Sequence, residues 1–77
     1  MNEMTLKEFL LYHTHVHELC FIREYGYIAC VCYIDHEDLF IYSVPENLRN
    51  SYVVNNYIDE LTTDQGKILV HYIDVKR

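Results

Sequence analysis

Residues 13–36 read HTHVHELCFIREYGYIACVCYIDH and hold four of the five histidines and all three cysteines of the 77-residue chain. Within this stretch, residues 17–24 and 27–34 are two runs rich in Cys, Ile, Val, Phe and Tyr, and they flank Tyr25-Gly26. Such runs are typical of β-strands, and a glycine between them supplies the positive φ angle that a tight turn requires. The stretch therefore predicts a β-hairpin that turns at Tyr25-Gly26.

The register of this hairpin decides which side chains share a face. With a two-residue loop at Tyr25-Gly26, the numbers of paired residues sum to 51, so that His17 faces Ile34 and Phe21 faces Cys30. The face that this register predicts to be the core face carries His15, His17, Leu19, Phe21, Ile28, Cys30, Cys32, Ile34 and His36. A three-residue loop would shift the sum to 50 and place Cys20 opposite Cys30.

The imidazoles and thiols gathered on that face predict a zinc site. Zinc in proteins prefers tetrahedral coordination by neutral imidazole and thiolate, at about 2.0–2.3 Å. Four ligands would come from His15, His17, Cys30, Cys32 and His36, or, in the alternative register, from Cys20, Cys30, Cys32 and His36. Because so short a chain has a marginal core, we expect a structural ion with every coordination position filled by protein. The competing interpretation makes the cysteines small core residues and leaves the histidines in solvent.

The segments around the hairpin predict short helices. Thr5 and Glu8 form a capping-box pattern, which predicts a helix over residues 5–12. Asp35 can cap a further segment, whose apolar run at 39–42 fits a helix or a strand equally well. Pro45 is typical of the first position of a turn or a short helix.

A second pair of strands is predicted over residues 52–58 and 67–75, joined by turn-forming residues at 62–66. Residues 1–77 therefore predict one α+β domain. Its architecture would be an antiparallel sheet of about four strands in two hairpins, with one or two short helices on one face.

The charge balance indicates the kind of partner. Twelve acidic residues against six basic ones give a formal charge of −6, which disfavours direct binding to nucleic acid and suits a basic protein surface. The same charge would also serve solubility alone. Eight tyrosines suit either protein interfaces or half-buried strand packing.

Several function classes and locations are disfavoured. The chain has no run of about 20 apolar residues and no pattern typical of a secretory signal, so we expect neither a membrane span nor export. Three cysteines are an odd number, which favours reduced thiols and a cytoplasmic location. His-x-His occurs in metallohydrolases, but catalysis also requires an open metal position, a general base and a cleft. We therefore expect no enzyme activity.

Three segments, DHEDLFI (35–41), PENLRNS (45–51) and VHYID (70–74), resemble small prophage-encoded α/β proteins in which a TLKEFL-like helix precedes two antiparallel strand pairs. The His/Cys-rich hairpin is similar to that of a zinc-binding anti-CRISPR inhibitor of a type II effector nuclease. The resemblance implies a phage-encoded protein of the bacterial cytoplasm that binds a class 2 CRISPR effector. Such effectors hold the guide–target duplex in a positively charged channel, where an acidic domain would block loading of target DNA.

We expect the contact surface for such a partner to comprise Glu18, Glu24, Tyr27, Tyr33, Asp35, Glu37 and Asp38. The alternative is a small structural or regulatory prophage protein that binds another protein, in one version as a homodimer. Between the two assembly states, we expect a monomer rather than a dimer.

Overall fold

The computed structural model describes residues 3–77. Its elements, in chain order, are α1 (Leu6–Tyr12), β1 (Leu19–Glu24), β2 (Tyr27–Tyr33), a 3-10 helix (Leu39–Ser43), α2 (Glu46–Arg49), β3 (Tyr52–Thr63) and β4 (Gly66–Lys76). The predicted α+β fold with a four-stranded sheet is confirmed. The ambiguous run after Asp35 forms the 3-10 helix, whose Phe40 and Ile41 are buried.

The strands form one mixed sheet in the order β2-β1-β4-β3. The two hairpins, β1–β2 and β3–β4, are antiparallel as predicted, but they meet through a parallel pairing of β1 with β4. The segment between β2 and β3 crosses one face of the sheet and places β3 at the opposite edge. Because β4 returns from β3, it then runs beside β1 in the same direction.

The first hairpin turns where predicted, but its register changes beyond the turn. Tyr25 (φ +55°) and Gly26 (φ +83°) both have positive φ, as a type I′ turn requires, and Glu24 pairs with Tyr27. Ala29 then has no partner, because the pairing shifts between Ile22 and the next residue of β1. The predicted sum of 51 therefore holds for the two pairs next to the turn, but beyond this β-bulge the paired numbers sum to 52, which neither predicted register gives.

The consequence of the bulge is an exchange of faces on β1. Cys20 pairs with Cys32, and Ile22 pairs with Cys30, so Cys20 and Ile22 point to the helices and are fully buried. Leu19 and Phe21, predicted for the core face, lie on the opposite side of the sheet, because side chains alternate along a strand.

The core fills the space between the helices and this inner face of the sheet. In α1, the Thr5 hydroxyl accepts a hydrogen bond from the Glu8 amide (3.3 Å) and donates to the Glu8 carboxylate (3.1 Å), so the predicted cap is confirmed. The buried cluster comprises Leu6, Phe9, Leu10, Cys20, Ile22, Cys32, Ile34, Phe40, Ile41, Val44, Leu48, Ile73 and Val75.

Candidate functional site

Glu18, Cys20 and His71 bring a carboxylate, a thiol and an imidazole together at the junction of the two hairpins. Cys20 and His71 are direct neighbours in the parallel β1–β4 pairing, and Glu18 precedes β1 by one residue. One ligand atom from each of the three residues lies within 4.8 Å of the others. Across residues 3–77, this is the one group of three or more such side chains that lies close enough to hold a metal ion.

Hydrogen bonds fix the imidazole and the carboxylate. The Nδ1 atom of His71 bonds to the Glu18 carboxylate, and its Nε2 atom lies 3.0 Å from Oδ1 of Asn56 on β3. The other Glu18 oxygen accepts a hydrogen bond from the His15 amide at 2.8 Å. The ring of Phe9 meets the His71 ring edge to face, with the centroids 5.4 Å apart. His71 is therefore held from both sides of its ring.

The Cys20 thiol is protonated in this environment. Burial, the nearby Glu18 carboxylate and the Cys32 thiol, in that order, raise the pKa of Cys20 to about 12. A cysteine attacks substrates as its thiolate, and reactive cysteines are partly exposed with lowered pKa values. Cys20 is fully buried with a raised pKa, so it is suited to packing or to metal coordination rather than to nucleophilic attack.

The cluster borders a groove of about 570 Å³ between the loop before β1 and the β3–β4 hairpin. The residues that line the groove are His15, Val16, His17, Glu18, Leu19, Tyr33, Ile58, Ile68, Leu69 and His71. Five of these ten residues are aliphatic, and the polar groups lie in the loop, on Tyr33 of β2 and at His71. The side chains of Glu18 and His71 are 14% and 6% exposed, so the cluster is only slightly open to solvent.

The five predicted zinc ligands occupy different places. His15 lies in the loop with its side chain 95% exposed. His17 and His36 have their rings 5.0 Å apart, and His17 Nδ1 lies 2.8 Å from the Tyr33 hydroxyl. Cys32 is buried under the 3-10 helix. The structure thus brings two of the histidines together at the loop, away from the cysteines.

The two cysteines of β2 have core environments. The Cys32 Sγ atom lies 3.9 Å from the Phe40 carbonyl, and the Cys30 Sγ atom lies 3.8 Å from the Ser43 carbonyl. Burial raises the pKa of Cys30 and raises that of Cys32 to about 11, with a Ser43 hydrogen bond partly opposing the effect on Cys32. Both thiols therefore stay protonated at neutral pH in the metal-free chain.

The sequence placed Cys20 only in the alternative ligand set and placed His71 in neither set. His71 is packed, at 5% exposed. One feature of the sequence indicates that His71 has a polar partner. It shares a strand face with Ile73, and a histidine on a core face requires a hydrogen-bonding group beside it. The sequence of neither hairpin indicates that β1 lies beside β4. This strand pairing is what places Cys20 next to His71.

The predicted partner-binding residues divide into two groups. Glu18 is engaged with His71, and Glu24 accepts hydrogen bonds from Arg77 at 2.8 and 3.3 Å. The remaining five lie along edge strand β2 and the loop that follows it, and we call them the acidic edge: Tyr27, Tyr33, Asp35, Glu37 and Asp38.

Comparison of the chain with protein-family models, with curated proteins and with solved structures finds no match in any of the three. Over residues 3–77, no helix has both the length and the hydropathy needed to cross a lipid bilayer.

Proposed function

We propose that the protein is a non-enzymatic inhibitor that binds a basic surface of a protein partner through the acidic edge. The resemblance to anti-CRISPR inhibitors makes a class 2 CRISPR effector nuclease the partner to test, with blocked loading of target DNA as the mechanism. The observation that carries the proposal is a set of uncompensated carboxylates beside exposed tyrosines at a free sheet edge.

The carboxylates of the acidic edge are available for a partner. Within residues 3–77, no Lys or Arg lies within ion-pair distance of Asp35, Glu37 or Asp38, whereas Asp74 and Glu24 are paired with arginines. Tyr27 is 78% exposed and Tyr33 is 53% exposed. Charge of one sign steers a partner of the opposite sign and sets orientation, and tyrosine supplies contact area at low entropic cost.

The edge strand adds a second mode of contact. The outer side of β2 has no strand beside it in the sheet order, so its outward backbone groups can pair with an extended segment of a partner. Backbone pairing would give affinity, and the acidic loop would give selectivity for a basic partner.

The test is binding to a purified effector–guide complex at low salt, with target-DNA binding by that complex as the second readout. The test variant is D35N/E37Q/D38N. Asn at position 35 keeps an oxygen that can accept the hydrogen bond from the backbone amide of residue 37, which in the wild type is 3.0 Å from Asp35 Oδ1. Asn at position 38 tolerates the positive φ of +58° found there. We expect it to bind at least ~10-fold more weakly.

The matched control is D59N/E60Q/D64N, which removes the same charge from the end of the β3–β4 hairpin. We expect this control to inhibit DNA loading as the wild type does. If the wild-type protein forms no complex with the effector at low salt, or if both variants weaken equally, the acidic edge is not the contact surface.

We also propose a structural zinc ion, held by Glu18, Cys20 and His71. The mixture of thiolate, imidazole and carboxylate suits zinc, and a tetrahedral site at 2.0–2.3 Å needs only small inward movements from atoms within 4.8 Å. His15 is the available fourth ligand, because its Nδ1 lies 3.8 Å from the Glu18 carboxylate. Binding would release the Cys20 proton.

The zinc proposal is tested by metal analysis of the purified protein and by thermal melts before and after chelation. We expect about one zinc per chain, lost in C20A and retained in C32A, since both variants remove a buried thiol but only one removes a ligand. Zinc retained in C20A and lost in C30A and C32A would instead favour the hairpin set predicted from the sequence.

A further inference from the structure

Two cysteines lie opposite each other in the first hairpin, on the side of the sheet that the helices cover. Cys20 of β1 and Cys32 of β2 are register partners, and both are free thiols that are fully buried. The third free thiol, Cys30, is the register partner of Ile22 and follows Cys32 along the same face. The core therefore contains a pair of opposed thiols with a third thiol beside it.

The strand spacing at this pair matches the spacing of a disulfide. The Ile34 amide donates to the Glu18 carbonyl at 3.0 Å, and hydrogen-bonded pairs recur at every second residue of an antiparallel ladder. Cys20 and Cys32 lie two residues further along, so they also form a hydrogen-bonded pair. Such pairs have Cα atoms about 5.5 Å apart, and disulfides most often have Cα atoms about 5.5–6 Å apart.

Cys30 has neither of the other thiols at a suitable distance. It is a diagonal neighbour of Cys20, and diagonal neighbours lie about 7–8 Å apart. It is two residues from Cys32 in the same strand, which separates their Cβ atoms by roughly 7 Å, whereas a disulfide requires about 3.5–4.5 Å. The Cys30 Sγ atom instead lies 3.8 Å from the Ser43 carbonyl.

We propose that Cys20 and Cys32 are a redox pair that forms a reversible disulfide across the hairpin. With oxidised glutathione as the oxidant, the thiolate of one cysteine attacks the glutathione disulfide, which forms a mixed disulfide and releases one glutathione thiolate. The second cysteine thiolate attacks the protein sulfur of the mixed disulfide and releases the other glutathione thiolate. The two protons lost by the cysteines pass to the two glutathione thiolates, so one dithiol and one oxidised glutathione give one protein disulfide and two reduced glutathiones.

Burial sets the rate of this reaction. The thiolate is the attacking species, and both thiols are closed to solvent and protonated in the folded chain. Exchange therefore requires local opening of β2, which is an edge strand with no strand on its outer side. We expect slow oxidation of the folded protein and faster oxidation during refolding.

The same geometry makes the disulfide easy to reduce. Directly opposed side chains have Cβ atoms about 4.5–5.5 Å apart, with the larger values in hydrogen-bonded pairs. Forming the bond draws these atoms together by about 1 Å, and strained disulfides are more readily reduced. Excess reduced glutathione should therefore reopen it.

Oxidation would also remove Cys20 from the metal site, because a sulfur atom in a disulfide is no longer a thiolate ligand. This consequence rests on the proposed zinc ion, whereas the disulfide itself does not. Zinc and oxidation then exclude each other, and bound zinc should slow oxidation of the folded protein at least ~10-fold.

The experiment is refolding of reduced, chelator-treated protein from urea into excess oxidised glutathione, followed by alkylation and peptide mapping by mass spectrometry. We expect Cys20–Cys32 to exceed each of the other two pairings at least ~10-fold, because this pair alone has suitable spacing in the fold. C30A should form the same disulfide. The matched control is oxidation in urea, where Cys20–Cys30 and Cys20–Cys32 should form to similar extents, since they close loops of nearly equal length.

Equal amounts of Cys20–Cys30 and Cys20–Cys32 after refolding would overturn the proposal, and so would the absence of any protein disulfide. A Cys20–Cys32 bond that excess reduced glutathione fails to reopen would contradict its reversibility. If zinc leaves the oxidation rate of the folded protein unchanged while the disulfide forms as expected, the zinc proposal fails and the redox pair stands.

Discussion

At the scale of single residues, the chemical properties of His71, Cys20 and Cys32 depend on the groups that surround them. His71 is a buried imidazole with a carboxylate on one nitrogen and an amide oxygen on the other. Residue type alone predicted that thiols and imidazoles would meet in this chain. Residue type could not predict that Cys20 would lie beside His71, because these residues are brought together by strands that are distant in the sequence.

The two fully buried thiols predict a loss of stability at alkaline pH. Burial raises the pKa of Cys20 to about 12 and that of Cys32 to about 11, above the ordinary value of 9.0. The unfolded chain therefore loses these protons first as the pH rises. The stability contributed by the neutral thiols is fully present below about pH 9 and is lost as the pH rises toward 11–12, by at most about 1.4 kcal/mol per pH unit for each thiol.

Urea unfolding of chelator-treated protein between pH 8 and pH 10 measures this effect. The comparison is with C20A/C32A, which is less stable at pH 8 because it leaves cavities, but should show a flatter dependence on pH. Parallel loss of stability in both proteins would assign the alkaline effect to other groups.

At the scale of elements, local signals located the hairpin but not its faces. The Tyr25-Gly26 turn and the Thr5 cap follow from short patterns, and both are confirmed. The bulge at Ala29 has no such signal, since alanine fits a regular strand as well as a bulge. One extra residue moved Leu19 and Phe21 from the predicted core face to the opposite side, and with them the predicted ligand geometry.

The turn itself predicts a stabilising substitution. Tyr25 has φ +55°, a conformation that costs most L residues about 1–2 kcal/mol and that Asn adopts more readily. Y25N should therefore raise the free energy of unfolding by up to about 1 kcal/mol, as measured by urea denaturation. G26V should lower it, because Gly26 has φ +83°.

Tyr27 provides the matched control for Y25N. It is exposed to the same degree, 78% against 79%, but it lies in β2 rather than in the turn. Y27N should leave the free energy of unfolding unchanged or lower it, since Asn has a low propensity for β-strands. Equal stabilisation by Y25N and Y27N would mean that loss of an exposed tyrosine, rather than relief of the turn, is responsible.

At the scale of the whole molecule, the sheet separates two kinds of surface. One face is closed by the helices, and the other carries Val31, Phe21, Tyr72 and Tyr57 in one row across the four strands. The carboxylates of the acidic edge lie in the loop that follows edge strand β2. Composition predicted an acidic, tyrosine-rich protein. It could not predict that the tyrosines would align across strands, because that alignment depends on the parallel contact between the two hairpins.

The net charge predicts that salt stabilises the fold. Of twelve acidic residues, Glu18, Glu24 and Asp74 have cationic or histidine partners, and the excess of carboxylates over cations leaves repulsion within a molecule whose longest extent is 38 Å. Raising the salt from about 0.01 M to about 0.1 M shortens the screening length from about 30 Å to about 10 Å. The melting temperature should rise by a few degrees, equivalent to on the order of 1 kcal/mol for a domain of this size.

The control is D35N/E37Q/D38N, which changes the formal net charge from −6 to −3. It should melt at a higher temperature than the wild type at low salt and should respond less to added salt. A melting temperature that falls with salt would mean that the ion pairs of Arg23 and Arg77 outweigh the repulsion, because screening weakens attraction and repulsion alike. The sign of the salt effect therefore decides whether the acidic edge destabilises the isolated chain, as expected of a surface whose charge is compensated only by a partner.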